Sequence, residues 1–412
     1  NGRVRIANSN TLADRVWNGE ADYWDTELFW QISENLLDAI HHRFPEGVID
    51  SITYNAPDDV FRTALEMNIW HFSAAKTLAE IQALNQALNE SKDYSDFRMR
   101  ADRITNTFNE QWQRTEYQSA INCAEAASTY RRLKKQVQTF PYWEYKTVGD
   151  DRVREEHAAL DGLVLLHSDP LWKEIYPPNG WNCRCYVVPH MAAEEGDFNE
   201  EAQHDRADFF MQSNEWQRAK KSGWNINRAE RAIVFDANQM YIRKFPNNAA
   251  AYMDKVKPDK WGLSNNMKQL QEDSKVKINT YNGTPDEYWE THKTVIDGKE
   301  YLVIEDYLGR KWRMDKEAFI LHSTDTKKNR AFRVAFLNEI NTIATSPDEV
   351  WLGRNRQNVQ SKEMLLTNFI MLKHYTDKTL AVSCKIENNV FLFKTWFPVS
   401  DNSIRSGFLL KK

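Results

Sequence analysis

Two groups of residues in this 412-residue chain have the types and spacing that chemistry requires. The first is Cys183-Arg184-Cys185, which follows Pro177-Pro178-Asn179-Gly180-Trp181-Asn182, with His157 upstream. A C-x-C pair holds two thiols close together, which suits one metal ion and strains an intramolecular disulfide. His157, Cys183 and Cys185 could therefore supply three ligands to a structural tetrahedral zinc, with His167 or His190 as the fourth. In the alternative, both cysteines stay reduced and pack the turn after Trp181. Arg184 is expected to meet backbone carbonyls or a carboxylate. The second group lies in the C-terminal region: His322, Arg330, Arg333, Arg354, Lys373-His374-Tyr375, Lys394-Thr395-Trp396 and Arg405. An imidazole titrates near neutral pH, which makes His322 the best acid or base of the set. Arg330 and Arg405 can bind phosphate oxygens in bidentate fashion. Lys394 and Thr395 are strand neighbours with opposite directions, so only one of them can line a given site. Lys373 and His374 form a second candidate pair for acid chemistry. Tyr375, Trp351 and Trp396 have rings on which bases could stack, and Arg333, Arg354 and Lys394 suit a nucleic-acid backbone. Each has a plainer alternative. His322 ends an apolar stretch, Arg330 and Arg333 fit the solvated face of a helix, Trp351 and Trp396 fit a core, and Arg405 fits a surface.

The elements that must position these residues differ along the chain. Residues 1–140 read as helical: Leu78, Ile81, Leu84 and Leu88 recur at helical spacing, as do Phe97, Ala101, Ile104, Phe108 and Trp112. Asn89-Glu90-Ser91-Lys92-Asp93 supplies a stop and an N-cap between two helices. Residues 141–200 carry turn signals around Leu163–Leu166 and Tyr186-Val187-Val188, a compact α+β element. Residues 201–264 read as helical pieces leading into a linker. From 265 to 412 strands dominate, at Thr294–Ile296, Tyr301–Ile304, Val350–Leu352, Leu380–Ile386 and Val390–Phe397, with one amphipathic helix over Lys328–Thr345. Asp297-Gly298 and Glu387-Asn388-Asn389 are hairpin-turn chemistry. The fold expected is multidomain α+β: a helical N-terminal region, a compact α+β core, and a small C-terminal α+β domain built on an antiparallel sheet.

Composition narrows the function classes. The chain is 41% apolar and 27% charged with a net charge of −5, and its mean hydropathy is −0.71. No apolar run approaches the roughly 18–20 residues of a membrane span, so no membrane partner is expected. Four cysteines exclude a disulfide scaffold. The start, Asn1-Gly2-Arg3-Val4-Arg5, has no initiator Met, which suggests a cut or trimmed N-terminus. Residues 321–412 carry 14 Lys+Arg against 8 Asp+Glu, a net +6, while the remainder carries −11. A basic end on an acidic body is compatible with a phosphate-backbone ligand.

The run Asp151-Arg152-Val153-Arg154-Glu155-Glu156-His157, followed by Leu160-Asp161-Gly162 and by Pro177 through Cys185, resembles the phage Mu F-type minor head, or head-morphogenesis, family over about 45 residues. Arg154 is a departure, since some relatives carry a cysteine there. The resemblance implies a component of the capsid interior associated with the phage portal protein, docked through the helical region. The C-terminal landmarks are Leu308-Gly309-Arg310, Phe319-Ile320-Leu321-His322, Asn329-Arg330-Ala331-Phe332-Arg333, Ser346-Pro347-Asp348-Glu349-Val350-Trp351, Phe393-Lys394-Thr395-Trp396-Phe397-Pro398 and Ile404-Arg405-Ser406-Gly407. They resemble the phage branch of the barnase–EndoU–colicin–RelE nucleases, found as toxin modules on minor head proteins. That implies metal-independent cleavage of RNA by transesterification, with no cofactor required, and a possible cognate immunity protein. It also implies action both in the virion and in the bacterial cytoplasm. Such cleavage needs a base for the 2′-OH, an acid for the 5′-oxygen and cations for the phosphorane. The residues expected to serve are His322, Arg330, Thr395 and Arg405, with Lys373 and His374 as the second cluster. Thr395 is preferred to Lys394 because it matches the family's strand position.

Two competing readings follow from the same residues. A purely structural head protein would use the C-terminal domain only to bind a partner or nucleic acid, leaving His322 and Arg405 apart. An ADP-ribosyltransferase would need a catalytic Glu near a strand end, for which Glu387 is a loose fit. No H-N-H pattern or acidic triad favours a metal-dependent nuclease.

Overall fold

The computed structural model describes residues 11–42, 57–191, 199–236, 239–241, 253, 255–324, 331–354 and 366–412. These separate into two compact units. One takes in residues 11–42 and 62–241, the other residues 57–61 and 253–412. Among the described residues no helix is long and apolar enough to cross a membrane.

The first unit is built on helices Leu12–Trp17, Thr26–His41, the part of Pro57–Glu90 from Arg62 onward, Tyr94–Asn106 and Gln113–Lys135, the last two joined by a π-helical turn over Thr107–Trp112. Of the helical stripes expected from the sequence, Leu78, Ile81, Leu84, Leu88, Phe97 and Ala101 lie in the core, while Ile104, Phe108 and Trp112 are only half-buried. The break between them is also where the sequence puts it, because the Asp93 side chain accepts from the Asp96 amide at 2.9 Å and caps the second helix. Against these helices lies a three-stranded antiparallel sheet of β1 (Tyr142–Lys146), β2 (Leu163–Leu166) and β3 (Tyr186–His190), in the order β2-β1-β3. Alternation along β1 buries Trp143 and Tyr145 on one face.

The helical pieces expected over 201–264 are present, while residues 242–252 and 254 lie outside the described ones. The helices Glu200–Gln212, Asn214–Lys221 and Arg228–Arg231 belong to the first unit. Phe210, Trp216, Trp224 and Phe235 are buried there, and Arg228 lies with its guanidinium 3.9 Å from the Trp224 ring centre. Gln203 also accepts the amide of Val164 on the edge strand β2. The 3₁₀ turn Pro258–Trp261 belongs instead to the second unit, with Trp261 buried beside Trp351. Among the described residues of this polar stretch, every aromatic except the exposed Phe209 is buried, so the stretch contributes to a core.

The second unit is an eight-stranded sheet with helices Met267–Asp273, Pro285–His292, Lys316–Thr324 and Ile340–Thr345. Its strands are β4 (Lys293–Ile296), β5 (Lys299–Glu305), β6 (Lys311–Asp315), β7 (Glu349–Arg354), β8 (Leu366–His374), β9 (Thr379–Glu387), β10 (Val390–Val399) and β11 (Phe408–Lys411). The order is β11-β7-β8-β9-β10-β6-β5-β4. Every neighbouring pair is antiparallel except β10 with β6, which meet in parallel at Leu392 and Arg313. The sheet is thus two antiparallel blocks joined at one parallel seam. The expected hairpins form, with Asp297-Gly298 and Asn388-Asn389 all at positive φ as a type I′ turn demands. The amphipathic helix expected over Lys328–Thr345 is instead a 3₁₀ helix, Ala331–Glu339, followed by the short α-helix Ile340–Thr345. Residues 325–330 lie outside the described ones.

Candidate functional site

At the parallel seam the second unit gathers three of the residues singled out from sequence. β6 passes directly into helix Lys316–Thr324, whose first turn is capped by Asp315 accepting from the Ala318 amide at 2.7 Å. Phe319 and Ser323 face the core, and His322 is half-buried on the same helix. Across the seam, β10 carries a bulge: Phe393 pairs with Cys384 and Thr395 with Ser383, so Lys394 is an extra residue. The bulge shifts the alternation and lets Trp396, as well as Phe393, turn into the core, their rings 6.0 Å apart. Thr395 then points at the helix, its Oγ1 3.2 Å from His322 Nδ1. Arg333, from the 3₁₀ helix Ala331–Glu339, donates to the same Oγ1 from Nη1 at 2.9 Å.

Hydrogen-bond inventory limits the roles in this trio. A guanidinium can only donate, so the Thr395 hydroxyl accepts from Arg333. Its second lone pair can take the His322 Nδ1 proton, with its own proton directed to the Trp396 carbonyl at 3.5 Å. In that tautomer of a neutral ring, Nε2 carries the lone pair. Trp396 is 1% exposed and donates from Nε1 to the Arg333 carbonyl at 2.9 Å. It therefore positions Arg333 and does not stack a base, contrary to the stacking expected of it. Lys394 is exposed and pairs with Glu387 at 3.5 Å, so the loose transferase glutamate is met by a surface lysine. Arg330 lies outside the described residues. Arg354 ends β7 opposite Leu366, and its side chain lies outside them as well.

The remaining expected residues form a separate, buried network. Arg405, 1% exposed, holds Glu349 with Nη2 to Oε1 at 2.6 Å and Nε to Oε2 at 2.8 Å. Its Nη1 donates to the Ser264 carbonyl at 2.8 Å and to Asn402 Oδ1 at 3.0 Å. His374 Nε2 lies 3.3 Å from Glu349 Oε1, and its Nδ1 lies 2.9 Å from Thr379 Oγ1. Trp351, fully buried, donates to Glu349 Oε2 at 2.8 Å. Lys373 donates to the Ser346 carbonyl at 2.7 Å, and the Tyr375 hydroxyl to Glu339 at 2.6 Å. Burial acts to raise the Glu349 carboxyl, but the hydrogen bonds from His374 and Arg405 outweigh it and bring its pKa down to about 2. Arg405, Lys373, His374 and Tyr375 are thus engaged inside the unit, and the expectation that they face a ligand is corrected. The residue missed from sequence is Glu349. Its signal was a carboxylate two residues before Trp351 in an otherwise apolar strand, hence on the same face.

In the first unit, the second chemical cluster forms as the spacing suggests. His157 sits in the short helix Glu155–Ala158, and Cys183 and Cys185 in the turn leading to β3. Both Sγ atoms lie 3.5 Å from His157 Nδ1. Asn182, at φ +57, turns the chain just before Cys183, with its amide donated to Ser119. Asn122 holds the Cys183 carbonyl at 2.9 Å. Arg154 donates to the Trp181 carbonyl at 2.6 Å, and its guanidinium occupies the space a Cβ on Gly180 would need. Arg184 forms a bidentate pair with Asp150, both contacts 2.6 Å, as a carboxylate partner was expected to provide. Burial opposes charge on Cys183, but hydrogen bonds with Cys185 and His157 hold its thiol well below the ordinary range. Hydrogen bonding to Cys183 and burial push Cys185 up. Neither suggested fourth ligand joins the cluster. His190 pairs with Glu144 at 2.7 Å on the far end of β1, and His167 lies against the Trp143 ring.

Comparison with known proteins bears on both units. Residues 80–188 match the family described as Phage Mu protein F like protein. Residues 290–410 match the phage-Barnase-EndoU-ColicinE5/D-RelE like nuclease2 family. The chain therefore joins a Mu F-like region to a nuclease-like region, as its two sets of motifs suggest. Over 79 residues it is 42% identical to "Putative capsid assembly protein F" of Escherichia phage Mu, covering 19% of this chain and 18% of that one. Over 61 residues it is 44% identical to "Mu-like prophage FluMu F protein" of Haemophilus influenzae, covering 15% of each. The matched parts are less than a fifth of either relative's length. No solved structure matches. The Cys/His cluster lies within the first matched region, and the trio His322, Arg333 and Thr395 within the second.

Proposed function

We propose that this chain is a phage head-morphogenesis protein whose second unit is a metal-independent ribonuclease centred on His322, Thr395 and Arg333. The observation that carries the reading is the Thr395 hydroxyl held between the His322 imidazole at 3.2 Å and the Arg333 guanidinium at 2.9 Å. A phosphate oxygen placed near that hydroxyl meets the guanidinium, which matches the charge growing on a phosphorane. With the His322 Nδ1 proton directed to the Thr395 hydroxyl, Nε2 can take the proton of the 2′-OH. The 2′-oxygen bonds to phosphorus, the bond to the 5′-oxygen breaks, and a proton from water completes the leaving hydroxyl. Arg333 takes the part expected of Arg405. Relatives named for capsid assembly support placing the first unit in the head, with the portal and the capsid interior as its partners. The nuclease-like unit would then act as a toxin in the bacterial cytoplasm, countered by an immunity protein.

The test is cleavage of total bacterial RNA by the full chain in EDTA. Discrete fragments are expected from the parent chain, with activity at least about 100-fold lower in His322→Ala. Thr395→Val and Arg333→Lys should each fall as well, the latter because a lysine cannot reproduce the fork. Intact RNA at high protein concentration, or undiminished cleavage by His322→Ala, would refute the proposal.

A further inference from the structure

The Cys/His cluster of the first unit has a geometry that hydrogen bonding alone accounts for poorly. His157 Nδ1 lies 3.5 Å from both Cys183 Sγ and Cys185 Sγ, and all three atoms fall within 4.8 Å of one another. A ring nitrogen has one in-plane lone pair, so two thiols approaching it compete for a single acceptor direction. A cation on that lone pair serves all three atoms at once. The distances fit: at the tetrahedral angle, bonds of about 2.3 Å to sulfur and about 2.05 Å to nitrogen separate N from S by about 3.6 Å. The supporting frame is also built. Asn122, Ser119 and Arg154 each fix a backbone group of the turn that carries the two cysteines.

We propose that His157, Cys183 and Cys185 bind one soft divalent cation of the zinc class, and that its fourth position, to which no other described residue adds a ligand, is open. The cluster lines a cavity of about 540 Å³, whose wall also carries Arg114, Arg152, Arg154 and Arg184. Asp150 is shared between Arg184 and Arg152, so the wall is left with more cation than anion. A fourth ligand entering from this side is solvent or a small oxyanion. Two thiolates and one imidazole with an exchangeable position set this centre apart from a closed structural site, which takes all four ligands from the chain.

The test uses the full chain, purified under reducing conditions. Elemental analysis should find about one zinc per chain. After chelation, cobalt(II) should bind with sulfur-to-cobalt charge-transfer absorption. Cys183→Ser and Cys185→Ser should each lose most of that absorption, while Cys123→Ser, outside the cluster, retains it. Circular dichroism of each variant separates loss of the metal from loss of the fold. Inorganic phosphate should shift the cobalt spectrum. Absence of zinc together with failure to take up cobalt overturns the site. Cobalt uptake with a spectrum that phosphate does not move overturns the open position.

Discussion

Replacing Arg405 by alanine should unfold the second unit more readily, and this change separates a buried ion pair from a phosphate contact. The Arg405 side chain is fully buried, and Glu349 is 4% exposed. Truncation leaves a buried carboxylate with only His374 and Trp351 as partners. Breaking such a pair from one side costs about 3–5 kcal/mol. The Glu349 pKa gives the same scale. A drop from 4.5 to about 2 corresponds to about 3 kcal/mol. Against a domain stability of about 5–15 kcal/mol this is a large fraction. Urea unfolding of the full chain, followed by tryptophan fluorescence, should show the midpoint of one transition fall by at least about 1 M. The pH dependence has a definite sign. The folded carboxyl is depressed, so its contribution is complete above pH 4.5 and is lost as pH falls toward about 2. The gap between parent and variant should narrow across that window. An unchanged midpoint at pH 7, with RNA cleavage abolished, would refute this reasoning and return Arg405 to the ligand.

Two further outcomes follow from buried contacts elsewhere. Glu80 lies in the core, with one carboxylate oxygen accepting from Asn109 at 2.8 Å, and burial raises its pKa from 4.5 to about 7. The folded state holds a proton that the unfolded chain has lost, so stability should fall as pH rises from 4.5 to about 7. Glu80→Gln should remove that slope and stabilise the first unit at pH 8 by up to about 3 kcal/mol, read from thermal unfolding across pH. Gly407 has φ +105, and a Cβ there would lie 2.1 Å from the Leu352 carbonyl oxygen on β7. Gly407→Ala should therefore destabilise the second unit by about 1–3 kcal/mol in urea unfolding, and an unchanged midpoint would contradict the pairing of β11.

The parts legible in the sequence were those fixed by local chemistry. Helical spacing marked Leu78 to Leu88, Asp93 announced a cap, and paired positive-φ residues announced two hairpins. β8 escaped notice because a central strand buried along most of its length has no alternation to show. The 3₁₀ helix over Ala331–Glu339 carries apolar spacing that an α-helix would share. Of the candidate site, His322 was found by residue type, Thr395 came from the resemblance to the family's strand position, and Arg333 was placed among the backbone contacts. Arg405 and His374 were misassigned for one physical reason. Whether a cation faces solvent or a buried carboxylate depends on a partner far along the chain, and Glu349 precedes Arg405 by 56 residues.

The parallel seam between β6 and β10 has a consequence for assembly. The β4-β5-β6 meander and the block from β7 to β10 can each zip through neighbouring hairpins, but their junction is a long-range closure. His322 and Thr395 are 73 residues apart in sequence, and Arg333 and Thr395 are 62 apart. Closures of that span are entropically expensive and slow, so they come after local pairing. Chains with most of their strands already paired would still lack the trio. The candidate chemistry would therefore appear only in the last stage of folding, and a half-made or half-unfolded chain would be harmless to RNA around it.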